Sequence, residues 1–289
     1  MFAIVSGANT GMGLEITRSL AEAGYDVLMA CYDVKKGESA REMLIAQTGN
    51  KNLEVRHVDL ASLDSVRAFA ESVLAEGRHI DLMMNNAGSL KDRRIITGDG
   101  LEYNVSVNYV GPYLLTRMLL PLMGKGTRIV NMASLVYRFG AIRLPEFFTM
   151  GCRGSYNRFV VYSNSKLAIT LFTLNLARRL EDKGITVNAS DPWIVSTDII
   201  KMNNKLVDTL CDKIFRPIIY TPQEGASTAI DLLLNPEKAS LTGSFNKNRH
   251  SVKLPQRVVA HPLMDRLWNE TERIIAEHFA AKGMDNPLA

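Results

Sequence analysis

A chain of 289 residues, 46% hydrophobic, has ample material for a globular core, and a net charge of +4 without a dense Lys/Arg block leaves no footprint for nucleic acid. Three cysteines (Cys31, Cys152, Cys211), odd in number and far apart, suit a reducing compartment and exclude a disulfide framework. The five histidines form no ligand-spaced pair, so a metal site has no support, and no apolar run approaches the ~18 residues of a membrane span.

Residues 2–5 predict a buried first strand, which leaves no room for a signal peptide ahead of it and points to the cytoplasm. A glycine-rich stretch follows, then an amphipathic helix at 14–22. Apolar runs at 26–30, 53–58, 80–84, 128–132 and 185–189 predict further strands, with helical patterns at 62–74 and 166–180 between them. Such alternation predicts one α/β domain over 1–289, a doubly wound parallel sheet of about seven strands with helices on both faces. Beyond 189 the rhythm changes. Residues 198–219 are polar and then helical, with Leu206, Leu210 and Ile214 at helix spacing. Thr221-Pro222-Gln223-Glu224 reads as a helix start with a capping box. Residues 261–281 predict a terminal helix whose Leu263, Leu267, Ile274 and Phe279 dock on the core.

Two features carry chemistry. Gly7, Asn9, Thr10, Gly11, Met12 and Gly13 stand between the first strand and the first helix, where glycines admit a pyrophosphate and a helix N-terminus supplies free N–H groups. No Gly-Lys-Ser/Thr is present, so this is not a Walker loop. Tyr162 and Lys166 stand four apart, on one face of a helix. An ammonium beside a phenol lowers the phenol's pKa and makes it usable for proton transfer to a carbonyl or from an alcohol.

The spacing of Gly7, Gly11 and Gly13 resembles that of the short-chain dehydrogenase/reductase family, and further motifs agree in order: Asn85-Asn86-Ala87-Gly88, Asn108, Ser134, Tyr162 with Lys166, and Thr197. The resemblance covers residues 2 to about 245 and implies a Rossmann fold binding NAD(P). It implies that Asn108, Ser134, Tyr162 and Lys166 are catalytic. Tyr162 would be the general acid/base, Lys166 would lower its pKa and bind the nicotinamide ribose, Ser134 would hydrogen-bond the substrate oxygen, and Asn108 would hold a water. Asp59 and Leu60 would flank the adenine, and Asn86, Ala87, Gly88, Pro192, Val195 and Thr197 would complete the nucleotide site. Each has a structural alternative: Asn108 bonding within its helix, Ser134, Thr197 and Asp59 as caps. Ala30 to Glu38, Ser165-Lys166-Leu167-Ala168 and Thr221 to Gly225 resemble the retinol dehydrogenase and carbonyl reductase branch, which implies a hydrophobic small-molecule alcohol or carbonyl and a homo-oligomer, dimer or tetramer, joined through the helices carrying Asn108 and Tyr162.

Three departures stand out. Trp193 replaces the Gly expected after Pro192, so its side chain turns outward or walls the nicotinamide pocket; the second is expected. Cys31 occupies the position of the acid that binds the ribose in NAD-preferring proteins, Tyr32 stands where the branch has Arg, and Asp33 is expected to N-cap the next helix. With Lys35 and Lys36 available for a phosphate, NADP(H) is favoured over NAD(H). An insert at about 135–160 holds Phe139, Leu144, Phe147, Phe148, Met150 and Tyr156 and is expected to cover the cleft as a flap, or else to form a subunit contact. With a lid at about 198–220 it would enclose a lipophilic carbonyl; Arg138, Arg143 and Arg153 offer an anionic group a contact instead. A different class of function, a cofactor-binding sensor or scaffold without turnover, is favoured only by Trp193. A nucleotide-sugar epimerase lacks support, for want of a separate C-terminal substrate domain.

Overall fold

The computed structural model describes residues 1–150, 155–193 and 220–289. Eight strands form one sheet in the order β3-β2-β1-β4-β5-β6-β7-β8: β1 (Phe2–Ser6), β2 (Asp26–Cys31), β3 (Leu53–His57), β4 (Leu82–Asn85), β5 (Arg128–Met132), β6 (Thr186–Asp191), β7 (Phe245–Lys247) and β8 (His250–Val252). All pair in parallel except β8, which runs antiparallel to β7 at the edge. The six predicted strands are present. The last two, three residues each, are too short to leave a periodic signal.

Every residue of β1, β4 and β6 is buried, as expected of central parallel strands covered on both sides. Their side chains alternate between two cores. Ala3 and Val5 face helices α1 (Gly11–Glu22) and α2 (Val34–Thr48), with Ile16, Leu20 and Leu44. Phe2 and Ile4 face the opposite layer, with α3 (Leu63–Glu76), supplying Val66, Phe69 and Val73. On that second side also lie α4 (Tyr103–Val105), α5 (Gly111–Leu119) and α6 (Arg158–Arg179). After the fold's second half, α7 (Pro222–Leu234) opens with the predicted capping box of Thr221 and Glu224. Among the described residues no helix is long and apolar enough to cross a membrane.

The short helix α8 (Gln256–Val259) leads into α9 (Met264–Ala280), which docks as predicted: Leu267 and Phe279 are buried, and so are Trp268 and Ile275. Full burial of such side chains contributes about 1.5–3 kcal/mol each. Trp268 meets Tyr113 of α5 at 5.1 Å and Phe172 of α6 at 5.9 Å between ring centroids, with the guanidiniums of Arg117 and Arg179 at 5.0 and 4.3 Å. Tyr113 and Arg117 both donate to Glu272. These surfaces of α5 and α6 are those through which a homo-oligomer was expected. The chain's own tail covers part of them, at Tyr113, Arg117, Phe172 and Arg179.

The insert is also bound down. Tyr137, Phe147 and Phe148 are buried in the second core. The Phe148 carbonyl accepts from Glu102 N at 2.8 Å, and the Tyr156 hydroxyl donates to the buried Glu102 carboxyl at 3.1 Å. Part of the expected flap is therefore core, while Phe139 and Phe159 stand out in solvent, 80% and 56% exposed. Arg153 and residues 198–219 of the expected lid lie outside the described residues.

Candidate active site

The strand order reverses between β1 and β4, and the loops after both strands meet there, at the carboxyl edge of the sheet where open α/β folds bind ligands. Asn86 joins them: its side-chain amide donates to the carbonyls of Ser6 at 3.0 Å and Gly7 at 3.3 Å. Ser6 Oγ accepts in return from Asn86 N and Ala87 N. The packing admits no side chain at Gly13, where a Cβ would stand 2.1 Å from the Gly7 carbonyl oxygen and 2.5 Å from Asn86 Nδ2. Gly7 and Gly11 have φ of +66° and +54°, which a side chain resists. Thr10 is the N-cap of α1, exposed, and makes no capping hydrogen bond with its side chain. The helix thus opens onto solvent with first-turn N–H groups available, beside the partly exposed Asn9 and Met12. This cradle fits a dinucleotide pyrophosphate.

Next to it stands the second group. Asn157 caps α6 by accepting from Phe159 N and Val160 N, which starts the helix one turn before Tyr162. Tyr162 and Lys166 then share a face as predicted, with Nζ 5.5 Å from the phenol ring centroid. Lys166 is buried and donates to the Met132 carbonyl, at the end of β5, at 2.8 Å. Asn108 lies in a π-helical turn (Ser106–Val110), a local widening that re-aims side chains. Its amide does not bond within its own helix: Oδ1 accepts from Ser89 N at 2.7 Å, and Nδ2 donates to the Ser89 carbonyl and to Ser165 Oγ at 3.0 Å. Gly88 is where these parts converge. A Cβ there would lie 3.4 Å from Asn108 Oδ1 and 3.9 Å from Lys166 Nζ. Beneath them, Asn85 donates to Thr116 and Asn131, and Asn131 to Thr173, a buried network tying β4 and β5 to α5 and α6.

The surroundings of the pair add effects that its spacing does not show. Burial, helped by the charge of Asp191, pushes the Tyr162 phenol above its usual range. Burial pulls Lys166 down to about 8, against the opposing pull of Asp191. Desolvation and the Asp191 charge both favour the neutral phenol. Ser134 follows β5 and is partly exposed. Its Oγ accepts from Val136 N at 3.4 Å, the capping alternative, and the turn it opens (Leu135–Phe139) packs on α6 with Ala141 N donating to Asn164 at 2.7 Å.

Residues 7–245 match the family model described as Enoyl-(Acyl carrier protein) reductase. Human retinol dehydrogenase 12 is 35% identical over 92% of this chain and 83% of its own length. Mouse retinol dehydrogenase 11 is 40% identical over 84% of this chain and 76% of its own. The chain belongs to the short-chain dehydrogenase/reductase family. It is thereby an NAD(P)-dependent oxidoreductase acting on alcohol and carbonyl groups. Among solved structures, an uncharacterized protein from Mycobacterium paratuberculosis superposes with a TM-score of 0.76 at 27% identity, over 99% of this chain and 95% of that one. A short-chain dehydrogenase from Burkholderia cenocepacia in complex with NADP shares the fold, with a TM-score of 0.67 at 24% identity over 85% and 94% of the two chains.

In this short-chain dehydrogenase/reductase the outer part of the candidate nucleotide site is built as follows. Cys31 is buried, and burial pushes its thiol up to about 11, so it is in no position to replace a ribose-binding acid. Tyr32 is 67% exposed and lies with His57, at the ends of β2 and β3, at 6.1 Å between ring centroids. Asp33 caps α2, accepting from Lys36 N at 3.1 Å, as expected. Asp59 does not cap α3; Ser62 does, while Asp59 Oδ1 accepts from Ala61 N at 2.8 Å. Leu60 is buried, its carbonyl beside Gly111. Val195 and Thr197 lie outside the described residues.

Past Pro192, Trp193 takes φ of +62°, the left-handed backbone that a Gly in this place adopts freely. Lys247 Nζ sits over its ring at 3.2 Å. Nucleotide binding is expected to quench the emission of Trp193, and the quench should vanish in Trp193→Phe. The chain's other tryptophan, Trp268, is buried under Arg117 and Arg179 and serves as an internal reference. Equal quenching in both proteins would place Trp193 outside the pocket.

One residue went unread in the sequence. Asp191 ends β6, 2% exposed, and its Oδ1 accepts from Leu135 N at 2.9 Å. Its signal is an acid just past the run at 185–189, in a strand that also carries Thr186, Asn188 and Ser190, and the Pro192-Trp193 departure beside it masks that signal.

Proposed function

We propose that this enzyme interconverts an alcohol and a carbonyl on a hydrophobic small molecule, with Tyr162 as the proton donor in reduction and the acceptor in oxidation. The convergence at Gly88, where Asn108 and Lys166 meet the nucleotide loop on the side of Tyr162, carries this reading. The bound nicotinamide supplies or accepts the hydride. Tyr162 gives its proton to the oxygen as negative charge develops there, and Ser134 Oγ donates a hydrogen bond to the same oxygen. Lys166 uses one of its donors on Met132, keeping others for the ribose. Asn108 has both N–H groups committed and one Oδ1 lone pair left, the place for a water that carries protons to Lys166. Gly7, Asn9, Thr10, Gly11, Met12 and Gly13 bind the pyrophosphate, with Asn86, Ala87 and Gly88 alongside; Tyr32, Asp59 and Leu60 hold the adenosine end, and Pro192, Val195 and Thr197 the nicotinamide end. The names of the relatives, retinol dehydrogenases, support a lipophilic substrate. The test is oxidation of reduced nucleotide with aldehydes of rising chain length and with retinal, read against retinol oxidation. Activity rising with apolar length supports the proposal; no turnover with any of them overturns it.

NADPH is the proposed partner. Cys31 offers no acid for a ribose hydroxyl, and Lys35 and Lys36 sit at the opening of α2 next to Tyr32. The double variant Lys35→Gln/Lys36→Gln is expected to lower the ratio of kcat/KM for NADPH over NADH by about tenfold, the loss of one charge-assisted phosphate contact. A wild-type preference for NADH reverses the assignment.

A further inference from the structure

Asp191 sits between the two halves of the candidate site. It is the last residue of β6, one step beyond Ser190, which pairs with Met132, the residue whose carbonyl holds Lys166. On the other side it pairs with Lys247 of β7, the residue whose ammonium covers Trp193. Its Oδ1 holds Leu135 N at 2.9 Å, in the turn that begins at Ser134. Its Oδ2 is buried and makes no side-chain or backbone hydrogen bond of good geometry among the described residues. A buried carboxylate with a spare oxygen is costly, and such groups persist where they serve a site. The charged and titratable groups around it are Lys166 and Tyr162 on α6 and Lys247 on β7, with the Leu135 and Trp193 N–H groups as backbone donors. Burial raises the Asp191 carboxyl, while Leu135 N–H, Lys247, Trp193 N–H and Lys166 favour its charged form.

We infer that Asp191 is a positioning residue: one oxygen fixes the turn that presents Ser134, and its negative charge keeps Tyr162 and Lys166 protonated, which biases the site toward carbonyl reduction. The inference rests on the proposed role of Tyr162. Its sign follows from simple electrostatics. A negative neighbour favours the neutral phenol over phenolate and the ammonium over the amine. Deleting the charge therefore lets both lose their protons at lower pH, which ends reduction earlier and begins oxidation earlier as pH rises.

Asp191→Asn keeps an acceptor for Leu135 N–H and removes the charge. In this variant the alkaline fall of kcat/KM for aldehyde reduction should move toward neutrality by about half to one pH unit, and the rise of alcohol oxidation should move the same way. A second measurement needs no turnover: acetic anhydride labelling of Lys166 across pH, read by mass spectrometry. The wild-type midpoint near about 8 should fall in Asp191→Asn and return in Asp191→Glu, which restores the charge. Coincident Lys166 midpoints in wild type and Asp191→Asn, at equal melting temperature, overturn the inference. If Asp191→Asn does not fold, a Lys166 midpoint in Asp191→Glu at or above wild type supports the inference and a lowered one overturns it. Retention of turnover by Tyr162→Phe sinks the functional reading instead, and leaves the labelling result standing on its own.

Discussion

Replacing Tyr162 by Phe is expected to lower kcat for aldehyde reduction by about 10²–10⁴-fold, the usual contribution of a positioned general acid. The ring that Lys166 faces at 5.5 Å remains, and so do the glycine loop and the Asn108 contacts, so nucleotide affinity should change little. The loss should therefore fall on kcat rather than on nucleotide KM, the signature of an interaction made in the transition state. The wild-type pH profile follows from the same surroundings. Burial and Asp191 keep the phenol protonated through the neutral range, so reduction should be level there. It should decline as pH rises through about 8, where Lys166 gives up its proton. Wild-type turnover in Tyr162→Phe would remove the phenol from the chemistry and leave the fold with a nucleotide-binding role alone.

That prediction combines what the sequence displays with what it hides. The i,i+4 pairing of Tyr162 and Lys166 was legible because helix periodicity is local. The six long strands and the glycine loop were legible for the same reason. The electrostatic sign of the pair was not. A phenol beside an ammonium reads as a lowered pKa, whereas desolvation, which raises the phenol and lowers the ammonium, depends on what the chain folds over the pair. Asp191 was invisible as a participant because its neighbours Leu135, Lys166 and Lys247 are brought to it only by the sheet register and the crossing of α6.

Aromatic composition alone leaves the insert ambiguous. Phe147 and Phe148 look alike as lid residues or core residues, and only the contact of Phe148 O with Glu102 N and the clamp of Tyr156 on Glu102 tell them apart. The tail shows the reverse. Its apolar spacing gave the docking face correctly, but the helix it docks on had to be seen, and that choice covers α5 and α6 with Trp268 and Glu272. Trp193 lies between these cases. The sequence locates the departure from Gly, and the backbone keeps the left-handed conformation nonetheless. The surrounding fold thus imposes that geometry on a residue that resists it, at a cost of order 1–3 kcal/mol.

The second large effect is expected at Gly13→Ala, which tests the nucleotide cradle without touching the acid–base pair. The added methyl would stand 2.1 Å from the Gly7 oxygen, 2.8 Å from the Gly7 carbonyl carbon and 2.5 Å from Asn86 Nδ2. Two of these are backbone atoms, and Asn86 is pinned by Ser6 and Gly7, so neither side can yield by a rotamer change. Either α1 backs away from β1 or the Asn86 bridge opens, and each moves the N–H groups that meet the pyrophosphate. Overpacking of this kind costs about 1–3 kcal/mol, which at the binding loop corresponds to a ~10- to 100-fold rise in the nucleotide Kd. Gly98→Ala is the matched control, since nothing lies within 4 Å of its added methyl. Calorimetric titration with NADPH measures both, and the melting temperature separates a shifted loop from a collapsed fold. Wild-type affinity in a folded Gly13→Ala protein would mean that the dinucleotide does not lie on this helix terminus, and the site would have to be sought elsewhere along the carboxyl edge of the sheet.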